Sequence, residues 1–267
     1  TLILQYQPSD NALDSIEIID IFLKKNKVNK NTLVICPELS LQRYICITKE
    51  KKIFKESIPI NSEIISNICN IAKKYNIFLC ISFFEKDKNK FFNTAIVINP
   101  KGQIIKKYHK KNIPSETCYQ EKYYFNEPKN NYTSFRIGSI RIGILICWDQ
   151  WYSRSYEELK KQNVNLIICP TAIGFCTKSS KNINIKNEKI KWLEVIKANS
   201  LMNNIPLIIC NRTGKETRRS LRISFWGYSF ITDSSGTVVK KCGNSTSVIH
   251  HRMNIKDQNT IKKLWNF

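Results

Sequence analysis

An apolar run near the middle of the chain ends abruptly in a cysteine, in the stretch Arg141-Ile142-Gly143-Ile144-Leu145-Ile146-Cys147-Trp148-Asp149-Gln150-Trp151-Tyr152. Its β-branched residues predict a buried strand that delivers Cys147 to a turn at the end of a sheet. Ligands of open α/β sheets bind at such strand ends. A free cysteine is also a common small residue of apolar cores, so this stretch alone leaves two possibilities open, an inert core thiol or a nucleophile.

The charge of the chain raises the question of nucleic-acid binding. Its 267 residues include 43 Lys and Arg against 21 Asp and Glu, which gives a formal net charge of +22. The lysines are spread along the whole sequence in twos and threes, with no basic arm and no RNP-like or zinc-finger motif, so we do not expect functional binding of nucleic acid. No apolar stretch is long enough to cross a bilayer, and we expect no membrane association.

The cysteines and histidines indicate a reduced protein without a metal. Most of the ten cysteines lie inside apolar runs and none forms a CxxC pair, which favours free thiols and a cytoplasmic location. The three histidines have no metal-ligand spacing. The sequence also lacks a GxGxxG motif, a P-loop and a GxSxG elbow. We therefore expect neither a metal nor another cofactor.

Strand and helix patterns alternate along the chain without internal repeats. Helical spacing of apolar residues predicts helices at about 11–25, 61–75, 153–162 and 192–203. Continuous apolar runs predict buried strands at 32–36, 77–84, 164–169 and 206–210, and turn signals predict hairpins at 91–108 and 134–146. The polar segment 175–189 is predicted to be a long loop that lines or covers a site. Together these patterns predict one domain over 1–267, a layered α/β sandwich with a mixed sheet.

Three reactive side chains stand where predicted strands end, in the order Glu38, Lys110 and Cys147. Glu38 and Lys110 could equally be ordinary solvated surface residues. A thiol that attacks an amide carbonyl needs a base for its proton and a positive charge or hydrogen-bond donors for the oxyanion. A Glu, a Lys and a Cys meet these needs without a metal. A further carboxylate, Glu121, lies in an aromatic cluster and needs a partner to remain ionised.

Eight stretches, in order across nearly the whole chain, carry a family resemblance: Pro37-Glu38-Leu39, Ser82-Phe83-Phe84-Glu85, Tyr108 with Lys110 and Ile113-Pro114, Tyr119-Gln120-Glu121-Lys122-Tyr123-Tyr124-Phe125, Cys147-Trp148-Asp149-Gln150-Trp151, Pro170-Thr171-Ala172-Ile173-Gly174, Asn211-Arg212-Thr213-Gly214-Lys215-Glu216 and Phe225-Trp226-Gly227-Tyr228-Ser229-Phe230. By these stretches the sequence resembles the nitrilase superfamily of carbon-nitrogen hydrolases and, within it, the N-carbamoylputrescine amidase branch. The resemblance implies a four-layer αββα sandwich with mixed β-sheets.

The resemblance also implies roles for individual residues. Cys147 is the nucleophile, Glu38 the general base, Lys110 the group that stabilises the tetrahedral intermediate, and Glu121 a second glutamate that orients the lysine or the substrate. We expect Cys147→Ser or Lys110→Ala to abolish turnover and leave the fold intact.

Other residues are implied to bind the oxyanion or the substrate. The backbone N–H of Trp148 would complete the oxyanion hole, and Asp149, Tyr44 and Thr171 are further candidates for these contacts.

The function implied is hydrolysis of N-carbamoylputrescine to putrescine, ammonia and carbon dioxide through a cysteine thioester, as a step of polyamine biosynthesis. A small-molecule carbamoyl amine or amide is the expected partner, and a homo-oligomer, a dimer or larger, is expected. One alternative is an amidase for another linear amide, such as an N-carbamoyl β-amino acid. An alternative of a different class is an inactive, basic protein that associates with RNA.

Several segments depart from the pattern of that branch, among them Asn112 in place of a His and Tyr152-Ser153-Arg154 in place of an aromatic-Pro-Glu, and two others bear most on the substrate. Phe175-Cys176 stands where the branch usually has Ser-Glu, whose carboxylate is associated with the distal ammonium of the substrate. Ser115-Glu116-Thr117-Cys118 replaces an Asp and a Gly-Pro-Gly turn. Loss of one charged hydrogen bond would cost about 1.5–3 kcal/mol. Glu116 and Asp149 are the residues that could compensate for it.

Overall fold

The computed structural model describes residues 1–129, 131–177, 185–253 and 255, without the side chains of 185 and 186. The α-helices of this part of the chain are α1 (Ala12–Lys25), α2 (Glu63–Tyr75), α3 (Glu121–Tyr124), α4 (Ser153–Lys161) and α5 (Ile185–Asn203). Its β-strands are β1 (Leu2–Gln5), β2 (Leu33–Ile35), β3 (Ile58–Pro59), β4 (Phe78–Asp87), β5 (Lys90–Ile98), β6 (Ile104–His109), β7 (Thr133–Ile137), β8 (Ile140–Ile144), β9 (Leu166–Thr171), β10 (Gly174–Cys176), β11 (Leu207–Asn211), β12 (Thr213–Arg218), β13 (Leu221–Trp226), β14 (Phe230–Thr232), β15 (Val238–Lys241) and β16 (Ser247–His250). Short 3-10 helices span Ile45–Ile47, Lys51–Glu56 and Cys147–Trp151.

Side-chain caps fix where the first two long helices begin. The Asn11 side chain accepts the backbone N–H of Asp14 at 2.9 Å ahead of α1, and the Ser62 hydroxyl accepts that of Ile65 at 3.4 Å ahead of α2. These bonds satisfy N–H groups that have no acceptor within the helix. Asn76 closes α2 in the left-handed region with φ 53°. Local sequence therefore sets these boundaries.

Two large mixed sheets form the centre of the molecule. The first has the strand order β16-β1-β2-β4-β5-β6, with β3 also paired to β4, and the second has the order β15-β14-β11-β9-β8-β7. In the first sheet β1, β2 and β4 run parallel, and in the second β8, β9 and β11 run parallel. Antiparallel strands complete both sheets, and the predicted mixed α/β architecture is confirmed.

The alternation of side chains along β1 shows how the layers stack. Leu2 and Leu4 pack in the core beneath α1 and α2, whereas Ile3 packs in the core shared with the second sheet. A strand buried on both faces favours apolar residues at successive positions, which is why β1, β2 and β9 consist largely of apolar runs, with Gln5 and Thr171 at the ends of β1 and β9. The thiol of Cys210 on β11 donates to the carbonyl of Leu4 at 3.4 Å, a bond between the two sheets. Helices α4 and α5 cover the outer face of the second sheet, which gives the four αββα layers.

One predicted segment differs from the structure. The long loop expected over 175–189 begins as β10 and ends within α5, while 178–184 lie outside the described residues. β10 pairs with β13 and β13 with β12, in a small third sheet beside the two large ones. No helix among the described residues is both long enough and apolar enough to cross a bilayer.

Candidate active site

Cys147 lies at the point where the chain leaves the second sheet. β8 ends at Ile144, the N–H of Leu145 makes one more sheet-like bond to the carbonyl of Ile168 at 3.0 Å, and Cys147 then opens the 3-10 helix. Its φ is 43°, in the left-handed region that costs a residue with a β-carbon about 1–2 kcal/mol. The thiol is 4 % exposed. Such strain at a buried reactive group is typical of functional sites.

Glu38 follows β2 and Lys110 follows β6, two strands of the first sheet, and Asn93 on β5 is hydrogen-bonded to both residues. The Asn93 carbonyl accepts the backbone N–H of Lys110 at 2.8 Å, and its side-chain amide donates to Glu38 Oε1 at 2.7 Å. Lys110 Nζ lies 2.7 Å from Glu38 Oε1 and 2.6 Å from Glu121 Oε2. Glu38, Lys110 and Glu121 are at most 1 % exposed. The structure thus joins three of the four predicted catalytic side chains in one buried ionic cluster, next to Cys147.

The cluster determines the charge of its members. Burial alone would lower the pKa of Lys110, but the negative charges of Glu121 and Glu38 outweigh it and raise that pKa well above its ordinary value. Burial raises the pKa of Glu121 to about 7. Burial, followed by the negative charge of Glu38, raises the pKa of the Cys147 thiol well above its usual range, against the opposing charge of Lys110. The resting site therefore holds a protonated lysine and a thiol rather than a thiolate.

The cluster leaves one acceptor and one donor without a partner. Within the described part of the chain, the second oxygen of Glu38, Oε2, is buried and has no hydrogen-bond partner. Lys110 uses two of its three N–H groups on the two glutamates, which leaves one. A buried polar atom without a partner is costly, so these two groups are suited to bonds that form only with substrate.

Asp149 holds the turn that carries Cys147. Its Oδ2 accepts the phenol O–H of Tyr108 at 2.7 Å and the backbone N–H of Ile146 at 3.0 Å. Its Oδ1 accepts the backbone N–H of Asn112 at 2.8 Å and the side-chain amide of Asn112 at 2.9 Å. The bond from Ile146 closes the turn itself, and the other three fasten the turn to β6 and to the segment that follows Lys110. Asp149 is fully buried and is not among the described lining residues of the pocket, so the structure shows it holding the turn, and its contact with substrate stays a prediction.

The other residues expected to touch the oxyanion or the substrate divide into two groups. Trp148 lines the pocket, and its backbone N–H lies in the first turn of the 3-10 helix, where N–H groups have no acceptor within the helix. Tyr44 and Thr171 are buried and absent from the pocket lining. The Tyr44 hydroxyl donates to Glu121 Oε1 at 2.6 Å, and the Thr171 carbonyl accepts the backbone N–H of Glu38 at 3.3 Å. Both residues therefore hold a glutamate of the cluster in place without being part of the described pocket lining.

A cavity of about 290 Å³ opens above Cys147. Its described lining residues are Pro114, Glu116, Tyr119, Cys147, Trp148, Trp151, Ile173, Gly174, Phe175, Cys176, Glu188 and Trp226. Aromatic and apolar side chains make up most of this wall, Glu116 and Glu188 are its carboxylates, and no Lys or Arg belongs to the part described. Such a lining fits a small ligand with a reactive head, an apolar middle and a cationic end.

A disulfide joins two of the segments that depart from the expected sequence pattern. Cys118 and Cys176, 58 residues apart, are bonded with their Cα atoms 6.0 Å from each other. The expectation that every cysteine is a free thiol is therefore wrong for this pair, and it holds for the other eight. Spacing along the sequence gave no sign of the bond, because only the packing of the 114–119 segment against β10 brings the two cysteines together.

Two residues of the site were not found from the sequence. Asn93, a polar residue within the mostly apolar β5, could have been recognised as a buried group in need of partners. Glu188 stands one turn into α5, in a segment predicted to be a loop, and no local pattern indicated that it faces the cavity.

Similarity to known proteins agrees with this geometry. The profile of the carbon-nitrogen hydrolase family matches residues 4–262. A citrullinase of Francisella tularensis is 29% identical over 244 residues, which is 91% of this chain and 84% of that protein. An N-carbamoylputrescine amidase of Solanum lycopersicum is 28% identical over 251 residues, or 92% of this chain and 82% of that protein.

A solved structure shares the fold. The crystal structure of a carbon-nitrogen hydrolase from Helicobacter pylori G27 superposes with a TM-score of 0.92 at 25% sequence identity, covering 100% of this chain and 94% of that one. The αββα arrangement implied by the sequence resemblance is thereby confirmed.

Proposed function

The chain belongs to the carbon-nitrogen hydrolase family, which acts on carbon–nitrogen bonds other than peptide bonds, and we propose that its substrate is N-carbamoylputrescine. The relatives named above divide between two ureido compounds, one with a cationic tail and one with an amino-acid tail. The end of the pocket remote from Cys147 is the part that distinguishes them.

One observation carries the proposal: the described pocket lining contains two carboxylates, Glu116 and Glu188, and no cation. An ammonium at the end of a four-carbon chain is attracted by such a surface, whereas a free carboxylate is repelled. N-carbamoylputrescine has only the ammonium. Citrulline and an N-carbamoyl β-amino acid both carry a carboxylate, for which the described lining offers no basic partner. The aromatic and apolar residues that make up most of the described lining suit the intervening methylene groups.

In the proposed first half-reaction, Glu38 Oε2 takes the proton of the Cys147 thiol as the sulfur attacks the carbamoyl carbon. The remaining N–H of Lys110 and the backbone N–H of Trp148 stabilise the oxyanion. Glu38 returns the proton to the departing nitrogen, the C–N bond breaks and ammonia leaves. The raised pKa of the thiol makes this base necessary, because little thiolate is present beforehand.

In the second half-reaction Glu38 takes a proton from water, whose oxygen attacks the carbonyl carbon of the thioester. The C–S bond breaks, Cys147 regains its proton, and the carbamate product decomposes to putrescine and carbon dioxide. Glu121 acts through Lys110, which it holds at 2.6 Å in the orientation that meets the oxyanion.

We extend the proposal to the metabolic role, the cellular location and the domain organisation of the enzyme. A product of this kind places it in polyamine biosynthesis, and the seven buried free thiols fit a cytoplasmic protein. Residues 1–267 are taken as one catalytic domain, because both large sheets contribute side chains to the same site.

A substrate panel tests the proposal. Purified enzyme is given N-carbamoylputrescine, citrulline, N-carbamoyl-β-alanine and butylurea, and ammonia release is measured over a range of concentrations. We expect the highest kcat/KM with N-carbamoylputrescine, and at least tenfold less with butylurea, which has the same head and chain without the ammonium. A preference for citrulline or N-carbamoyl-β-alanine would replace the proposed substrate, and activity on none of the four would reject it.

A further inference from the structure

The Cys118–Cys176 disulfide connects two walls of the substrate pocket. Cys176 itself lines the cavity, and Cys118 lies two residues from Glu116 and next to Tyr119, which also line it. Both cysteines are almost completely buried, at 0 % and 2 % exposed. The bond is thus part of the pocket and separate from the cluster of Glu38, Lys110 and Glu121.

Glu116 occupies one side of a tight turn whose centre is Cys118. The backbone N–H of Glu116 donates to the carbonyl of Tyr119 at 3.2 Å, and the N–H of Tyr119 donates back to the carbonyl of Glu116 at 2.8 Å. Cys118 has φ 66°, the left-handed conformation that closes this turn. Residues 115–117 are exposed, so the position of the Glu116 carboxylate depends on how the turn is anchored.

The anchor on the other side is a strand with a fixed place. β10 pairs with β13 through Gly174 opposite Phe225, and a β-carbon at Gly174 would lie 2.5 Å from the carbonyl oxygen of Ser224. Gly174 thus lets β10 lie close against β13. The disulfide therefore links an exposed turn to a strand that is paired within the third sheet. The disulfide joins the turn to β10 covalently, and two hydrogen bonds between the Tyr119 hydroxyl and the backbone of Gly174 join them as well.

We propose that the Cys118–Cys176 disulfide determines specificity by holding Glu116 where it receives the cationic end of the substrate. The inference rests on the proposed function and names a part of its distal subsite. Eight free cysteines indicate a reducing environment, in which a disulfide is commonly transient and redox-sensing. A dithiol that supplies two electrons and two protons converts the bond to two thiols and is itself oxidised to a disulfide. The turn is then released, and preference for cationic substrates falls while the catalytic cluster is untouched.

The test compares cationic with neutral substrate in the oxidised and opened forms. The ratio of kcat/KM for N-carbamoylputrescine to that for butylurea is measured for the oxidised enzyme, for C118S/C176S and C118A/C176A, and for enzyme treated with a phosphine, which reduces the bond with water as oxygen donor. We expect the ratio to fall about three- to tenfold in each opened form, mainly through KM for the cationic substrate. Mass spectrometry after alkylation confirms the state of the pair.

Two comparisons separate positioning from general stability. E116Q should lower the same ratio by a similar factor. Adding C118S/C176S to E116Q should lower the ratio no further, because both changes remove the same interaction of Glu116 with the cationic end of the substrate. C69S, which replaces a half-buried free thiol on α2, is the matched control and should leave the ratio unaltered. An unchanged ratio in the opened forms, or equal losses for both substrates, overturns the inference.

A second measurement keeps the inference independent of the natural substrate. Cys147 is alkylated with iodoacetamide and with an iodoacetamide that carries a quaternary ammonium on a four-carbon chain, and the two rates are read by mass spectrometry. The rate of alkylation by the cationic reagent, divided by the rate with iodoacetamide, should be about three- to tenfold lower in C118S/C176S than in the oxidised enzyme. This holds even if N-carbamoylputrescine proves not to be the substrate. An equal ratio of the two rates in the oxidised enzyme and in C118S/C176S would reject the role of the disulfide. Inactivity toward N-carbamoylputrescine alone would reject only the proposed function.

Discussion

The ammonium of Lys110 lies 2.7 Å from Glu38 Oε1, and both side chains are completely buried. A second glutamate, Glu121, lies 2.6 Å away on the other side of the same ammonium. One buried positive charge thus compensates two carboxylates, so Lys110 maintains the fold as well as any reaction it takes part in.

Replacing Lys110 should therefore destabilise the protein as well as inactivate it. Lys110→Ala leaves Glu38 and Glu121 buried without their cation, and we expect a loss of about 3–5 kcal/mol in the free energy of unfolding. The sequence alone led to the expectation that the fold stays intact, and the measurement decides between the two predictions. Urea denaturation measures the change, with Lys74→Ala, an exposed lysine paired with Asp20, as the control that should show no effect. Wild-type stability in Lys110→Ala would contradict the buried ionic cluster.

Cys147→Ala should abolish turnover while the fold persists. The nucleophile is lost, and kcat should fall by at least about 10⁴-fold, because the remaining groups cannot form the covalent intermediate. Ammonia release and circular dichroism are measured together, with Cys69→Ser as a control of full activity. Residual turnover within tenfold of the wild type would mean that Cys147 is not the nucleophile.

The pH dependence of Cys147 alkylation should reveal the charge of Glu38. Because burial and the negative Glu38 raise the thiol pKa, labelling by iodoacetamide should increase steadily with pH and stay incomplete at neutrality. Glu38→Gln removes a negative charge, which lowers the thiol pKa, so the midpoint of labelling should move to lower pH although turnover is lost. A midpoint that moves upward would show that Glu38 does not act on the thiol through its charge.

Asp149→Asn should reduce kcat with little change in KM. An amide cannot accept all four of the present hydrogen bonds, so the turn that carries Cys147 loses its fixed position, and we expect a 10- to 100-fold fall in kcat. Tyr108→Phe removes a single bond and should give a smaller fall. An increase in KM at constant kcat would instead indicate that Asp149 touches the substrate.

Two substitutions on α5 should change substrate affinity in opposite directions. Lys191 Nζ lies 2.8 Å from Glu188 Oε1 on the helix surface. Glu188→Gln should raise KM for N-carbamoylputrescine about two- to fivefold, whereas Lys191→Ala frees Glu188 for the substrate and should lower it. Butylurea serves as the comparison, because its KM should respond to neither change. Equal responses for the two substrates would remove Glu188 from the distal subsite.

Some features of this protein were readable from local sequence. Apolar runs and helical spacing gave the alternation of strands and helices, and the strands buried on both faces within 32–36 and 164–169 were recognisable from the apolar runs 33–36 and 166–169. The ends of these strands then drew attention to Glu38, Lys110 and Cys147, which the structure brings to one place. The hydrogen bonds of Asp149 to Tyr108, Ile146 and Asn112 were not predicted, because the sequence does not show which way a buried carboxylate points, and its contact with substrate stays a prediction.

The sequence by itself determined the layered α/β architecture, the family and the positions of the reactive side chains, because these depend on short-range periodicity and on motifs of a few residues. Only the tertiary structure decided that Lys110 is shared by two glutamates, that Cys118 pairs with Cys176 and that Glu188 faces the cavity. Each of these contacts joins residues from separate elements, and its geometry follows from how sheets and helices pack rather than from spacing along the chain. The stretch that ends in Cys147 supplies the thiol. The residues packed around it raise the pKa of that thiol and determine the shape of the pocket above it.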